Sequence, residues 1–196
     1  MHHRRAKSTR VAGSWLEREE LGKLLQQARS RDPLMWLAML VSYWHGLRAS
    51  ECEDLRWGDL NFESRTINIR RLKGSLQSHQ RLREHPAPLW NELGGFEALR
   101  EMMGEPEPEE FVFHLSRFEF YHRMRRFGGL CGLDLKKCTP HALKHSLAHH
   151  LLLANVPISA VQKILGHSSL TSTLKYLTYD EVSAERLLTE ALGAKL

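Results

Sequence analysis

Thr139-Pro140-His141-Ala142-Leu143-Lys144-His145, followed by Leu165-Gly166-His167 and then Tyr176, governs the reading of this chain. The proline sets up a helix start with His141 in the first turn. Residues three and four apart share a helix face, so Lys144 and His145 are expected on the same side as His141. His167 falls in a bend between two helices, and Tyr176 on the helix expected from about Ser168. Upstream, Gly46-Leu47-Arg48-Ala49-Ser50-Glu51 adds a guanidinium. Cationic donors and a phenol are the parts needed to hold a phosphodiester and attack its phosphorus without a metal.

Composition frames that reading. With 196 residues, 42% hydrophobic and 26% charged, the chain is long enough for one substantial core. A formal charge of +5 and a pI near 9.3 lean toward a polyanionic partner. No apolar run approaches the ~20 residues of a membrane span, and no signal segment is recognised at the start. Cys52, Cys131 and Cys138 form no metal-type pair spacing, and their odd number argues against a disulfide framework. A reduced, cytoplasmic setting is the expectation.

The organisation reads as α+β and mostly α-helical, with one small antiparallel β-sheet or hairpin inserted. Residues 1–13 form a basic tail carrying Arg4, Arg5, Lys7 and Arg10. Ser14 with Glu17 predicts a capping box before a stripe of Leu16, Leu21, Leu24 and Leu25. Asp32-Pro33 starts the next helix, which stops at Gly46, and Ser50 with Glu53 predicts a second capping box. Arg48 then sits in a bend just before a new helix. Thr66-Ile67-Asn68-Ile69 alternates with period two and reads as a strand. Lys73-Gly74-Ser75 is a turn, with a partner strand returning toward His85 and ended by Pro86 and Pro88. Residues 104–110 are a loop, and everything from Ser116 reads as helices broken at Gly128-Gly129, Pro140, Pro157 and Gly166. A last helix is expected over 181–192.

Each chemical candidate has an ordinary alternative. Arg48 offers a fork of donors suited to two phosphate oxygens, or is a turn arginine paired with Glu51 or Asp54. Lys73 is a point charge whose pKa falls readily, as suits a general acid, or is a solvated turn lysine. His141, His145 and His149 fall at successive i, i+4 positions and also suit zinc, while His149 and His150 also read as helix-packing residues. Tyr176 needs nearby positive charge to act as a phenolate, or is a half-buried aromatic.

Taken together, Gly-Leu-Arg-Ala-Ser-Glu at 46–51, His141 with position 144, and Leu-Gly-His-Ser-Ser at 165–169 spaced before Tyr176 resemble the tyrosine recombinases, the phage-integrase family. The string Arg71-Leu72-Lys73-Gly74 with Ser78-His79 is similar to the small recombinases that invert fimbrial promoter switches. The resemblance covers roughly Leu16 to Tyr179 and implies a catalytic domain at 14–180. Residues 181–196 are then a C-terminal helix able to dock on a neighbour or fold back.

The resemblance implies that Tyr176 attacks a scissile phosphate, leaving a 3′-phosphotyrosyl link and a free 5′-hydroxyl. Arg48 and the residue at 144 hold the non-bridging oxygens with help from His167. His141 assists proton movement at the tyrosine, Lys73 protonates the leaving group, and Glu51 braces the site. The partners implied are double-stranded DNA and further copies of the chain, a tetramer on paired sites, with no cofactor and no membrane. Tyr179 lies off the family spacing.

One departure stands out. The family has His-x-x-Arg where this chain has Lys144, and a lysine cannot grip two oxygens in one plane. Losing a preorganised oxyanion donor costs ~10²–10³ in rate, so a slowed or substrate-restricted recombinase is expected. The alternative is a catalytically silent DNA-binding regulator on the same fold, since 156–176 also resembles a helix-turn-helix.

Overall fold

In the computed structural model of the protein, residues 15–71, 76–169 and Thr173 are described. The described elements run α1 (Arg18–Arg29), α2 (Pro33–His45), α3 (Ala49–Glu53), β1 (Leu60–Asn61), β2 (Thr66–Ile69), β3 (Ser78–Arg81), α4 (Glu92–Met103), α5 (Arg117–Leu130), α6 (Pro140–Leu153) and α7 (Ile158–Leu165). The architecture is mostly helical, with a three-stranded antiparallel sheet in the order β1-β2-β3.

Helix α2 is the axis of the core. Met35 through Val41 are all buried, as the unbroken apolar run requires, and α1, α4 and α6 pack around it. Its start follows the sequence: Asp32 accepts a hydrogen bond from the Met35 N–H at 3.1 Å, with Pro33 in the first turn. It stops at Gly46, whose φ of +59° suits a residue without a side chain. A Cβ there would lie 2.8 Å from Leu165 Cδ2 and 3.5 Å from Leu147 Cδ2. The bare Gly46 therefore lets the end of α2 close directly onto α6 and α7.

In the sheet, Ile67 pairs with Gln80 and Asn68 with His79. Ile67 and Ile69 face inward and are buried while Asn68 is exposed, the period-two alternation read from sequence. Strand β1 was not foreseen, because two residues, Leu60 and Asn61, carry no alternation to detect.

Three local expectations are corrected. Ser14 lies outside the described residues, and α1 is capped by Glu17, whose backbone N–H donates to the Glu20 carboxylate at 2.8 Å. The expected Ser50–Glu53 box does not form, because α3 starts earlier: Arg48 is the cap and Glu51 accepts its N–H at 2.9 Å. Glu53 instead accepts the Arg117 N–H at 3.3 Å, tying α3 to the start of α5. Gly128-Gly129 does not break α5, which runs to Leu130. A Cβ on Gly128 would collide with Cys138 Sγ, so this glycine serves close packing inside the helix rather than a stop. The turn at Lys73-Gly74-Ser75, the tail 1–13 and the helix expected over 181–192 lie outside the described residues.

Candidate active site

The bend after α2 presents Arg48 as the N-cap of α3. Its guanidinium pairs with Glu51, and its side chain keeps a quarter of its surface exposed while that of Glu51 is fully buried. Glu51 is the hub: its second oxygen accepts from Arg71 Nη1 at 3.0 Å. Burial alone would push the Glu51 carboxyl up. The Arg48 N–H, Arg71, Lys144 and the Arg48 guanidinium outweigh it and hold the group below the usual carboxylate range.

Lys144 does not reach outward beside His141. Position 141, in the first turn of α6, is exposed, whereas Lys144 is 5% exposed and sends its ammonium inward to the Leu165 carbonyl at 2.7 Å. Thr139 caps the helix through the Ala142 N–H. Ser146, one turn further along α6, accepts from the Leu16 N–H at 2.8 Å and donates to Ala142 O. Burial, reinforced by Arg71 and Arg48 and opposed by Glu51, lowers the Lys144 pKa to about 7. The ammonium is therefore only partly charged in the free protein at neutral pH.

His167 follows the C-cap of α7, Gly166, and is buried to 9% exposure. Its Nδ1 lies 2.9 Å from Thr173 Oγ1, and its carbonyl accepts from Gln162 Nε2 at 3.0 Å. Burial and the charges of Lys144, Arg48, Arg71 and His145 bring its pKa down to about 4. The imidazole is neutral at pH 7, so it can aid a phosphate by donating one N–H rather than by carrying charge. His145 is depressed as well, by burial and by His141 and Lys144.

Arg48, Lys144 and His167 are thus gathered with Glu51, Arg71 and His145 in one cationic cluster. His141 stands at its edge, exposed and close enough to perturb His145. Lys73 and Tyr176 lie outside the described residues, as does Tyr179. Of the remaining histidines, His149 stacks on Trp15 with ring centroids 4.2 Å apart, and buried His150 meets Tyr43 Oη at 3.0 Å. Both follow the packing reading, and among the described residues no three potential metal ligands gather.

Sequence reasoning passed over Arg71. Its guanidinium is buried and bonds His45 O at 2.7 Å, Gly46 O at 2.9 Å, Ile164 O at 2.8 Å and Glu51. The available signal was parity: Ile67, Ile69 and Arg71 continue one inward-facing register, so an arginine stands where the pattern calls for an apolar residue.

A family model described as "Phage integrase family" matches residues 14–182. The chain belongs to the phage integrase family. It is 32% identical over 179 residues to tyrosine recombinase XerA of Thermococcus onnurineus, covering 88% of this chain and 59% of that relative. It is 31% identical over 157 residues to tyrosine recombinase XerD of Vibrio cholerae, covering 76% of this chain and 50% of that one. This member of the phage integrase family thus spans between half and three fifths of these two relatives. Its fold is shared with the Tn1549 transposon integrase in complex with transposon right end DNA: TM-score 0.76, 20% identity, 92% of this chain and 66% of that one. It is shared too with the catalytic domain of bacteriophage HP1 integrase: TM-score 0.63, 20% identity, 89% of this chain and 93% of that one.

Proposed function

We propose that this chain breaks and rejoins duplex DNA as the catalytic part of a site-specific tyrosine recombinase. The observation that carries the reading is the cluster itself: Arg48, Arg71 and Lys144 crowd Glu51 beside His167, so among the described residues cationic donors outnumber the carboxylate that pairs with them. A phosphodiester supplies the missing negative charge. Arg48, a quarter exposed, contacts the non-bridging oxygens in a fork, Lys144 adds a point charge, and His167 a neutral N–H.

In the step proposed, the Tyr176 phenol oxygen bonds to phosphorus while the bond from phosphorus to the 5′-oxygen breaks. The phenol proton leaves through His141, and Lys73 gives a proton to the departing 5′-oxygen. A phosphotyrosyl ester is close in energy to the diester it replaces. A 5′-hydroxyl from another strand therefore reverses the step without ATP or metal. Exchange between two sites calls for several copies on DNA, a tetramer, acting in the cytoplasm. Residues 14–180 form the catalytic unit, with 1–13 a basic tail and 181–196 the segment available to a neighbour.

Helix α5 supports a duplex partner. Its outward side carries exposed Arg117, Phe118, Tyr121, His122 and Arg126, with Arg125 half-buried beside them. Arg125 lies over the Tyr121 ring at 5.4 Å and Arg117 over Phe118 at 4.9 Å. A 14-residue helix, about 21 Å long, with a basic face fits a DNA groove. The test uses a duplex that the full chain selects from a randomised pool, nicked beside the cleavage point. A covalent adduct that survives denaturation is expected, and Tyr176→Phe abolishes it. Selective binding without any adduct would establish the silent regulator instead.

A further inference from the structure

We infer that Arg71 is a positioning residue of this site, holding Arg48 and His167 in register through the carbonyl end of α7. The inference rests on the recombinase reading for its consequence, though not for its geometry. Arg71 lies just after β2, at the foot of the hairpin, and is 4% exposed. Its four bonds reach three separate parts of the site.

Two of them go to His45 O and Gly46 O, the last carbonyls of α2, one and two residues before the Leu47-Arg48 bend. A third goes to Glu51, which in turn holds both the backbone N–H and the guanidinium of Arg48. The fourth goes to Ile164 O, three residues before His167. A lysine in this place has one nitrogen and no plane, so it cannot serve carbonyls on two helices and a carboxylate at once.

Gly166 is shaped to this arrangement. A Cβ there would lie 2.7 Å from Arg71 Nε and 3.0 Å from Arg71 Cδ, and its φ is +67°. The C-cap of α7 is therefore a glycine for two reasons, turn geometry and the approach of the guanidinium. Gln80 also donates to Ile164 O, at 3.0 Å, and its Oε1 meets His45 Nδ1 at 3.0 Å, yet among the described residues it has no bond to Glu51 or Gly46. It anchors α7 without reaching Arg48, which makes it the natural control.

Arg71 is not placed to touch phosphate. The four N–H groups of its two terminal nitrogens are taken by protein oxygens, and its side chain is fully buried. It acts through Glu51 and through the two main-chain segments. Its loss should slow the chemical step while leaving the DNA-facing surface intact.

The experiment compares the full-length wild type with Arg71→Lys, Gly166→Ala and Gln80→Ala on the nicked duplex selected by the protein. Affinity is measured by titration, and adduct formation in a single turnover at saturating protein. Arg71→Lys is expected to bind within about threefold of wild type and cleave at least about tenfold more slowly, with Gln80→Ala within about twofold in both. Nitrogen-15 NMR of arginine side chains gives a readout independent of activity. The signal of the Arg48 Nη1–H that bonds Glu51 should persist in Gln80→Ala and vanish into solvent exchange in Arg71→Lys. Should Arg71→Lys fail to fold, Gly166→Ala crowds the same guanidinium and should erase the Arg48 signal through Arg71.

An Arg71→Lys protein that cleaves like wild type, or that loses binding and cleavage in parallel, overturns the inference. So does a Gln80→Ala protein with equal losses. If the wild type forms no adduct, the recombinase reading fails, and the NMR comparison alone decides the role of Arg71.

Discussion

Replacing Lys144 by arginine should flatten a pH dependence that the wild-type residue imposes. The ammonium is buried against Leu165 O with Arg71 and Arg48 nearby and Glu51 in partial compensation, which sets its pKa at about 7. Its charged fraction is then roughly nine-tenths at pH 6, one-tenth at pH 8 and one-hundredth at pH 9. If that charge contributes to holding the phosphate, adduct formation at subsaturating DNA, which reports the free protein's ionisations, falls about tenfold between pH 6 and 8. Among the described residues His145 and His167 also face Lys144; His167, held to about 4, has lost its proton below this window, and burial, His141 and Lys144 lower His145 from its usual value. A guanidinium stays charged throughout, so Lys144→Arg should hold its rate from pH 6.5 to 8.5 and exceed wild type most at the alkaline end. A wild-type profile that is flat, or a Lys144→Arg profile with the same slope, would refute the reasoning. Stability has the opposite sign. Between about pH 7 and the unfolded lysine value of about 10.4, the unfolded chain holds a proton that the folded one does not, so folding strengthens as pH rises.

Removing the Glu51 carboxylate by Glu51→Ala leaves Arg71 and Lys144 buried without their counter-charge and should cost about 3–5 kcal/mol. Thermal denaturation followed by circular dichroism should show a Tm lower by roughly 10 °C. Gly128→Ala drives a methyl into Cys138 Sγ and should destabilise by about 1–3 kcal/mol in urea titrations. Adding Cys138→Ala should recover most of that loss, a non-additivity expected of touching residues. His150 is held down to about 4 by burial and by Arg18 and His149, so it stays neutral in the fold while the unfolded residue protonates near 6.5. Its contribution is present above pH 6.5 and lost as pH falls toward 4. His150→Phe should therefore reduce the loss of urea stability across that window.

The repeating features were legible in the sequence. Asp32-Pro33 and Gly46 bounded α2, alternation over 66–69 gave β2, Pro140 opened the helix that carries Lys144, and Gly166 closed the one that precedes His167. Capping boxes were misplaced by a few residues, because Ser50–Glu53 and Arg48–Glu51 compete for the same turn. Packing against the α2 end and Arg71 favours the second. Gly128 read as a helix stop, since nothing local announces that a sulfur ten residues later needs its space. Within the site, residue types and spacing pointed to Arg48, Lys144 and His167, but not to the inward turn of Lys144. That direction is set by Leu165 O, 21 residues away in sequence. Arg71 stayed hidden for a similar reason: its partners come from α2, α3 and α7, and only the fold brings them together.

The excess of positive charge around Glu51 has a thermodynamic corollary. Two guanidiniums and a partly charged ammonium crowded together inside a protein raise the energy of its empty form, and an anion seated among them releases that energy on arrival. Occupancy should then be written into the melting curve. Inorganic phosphate, added well above its Kd, should raise Tm with the logarithm of its concentration, and Arg48→Ala should blunt that response. Calorimetry alone would thus register the filling of this site before any DNA strand is cut.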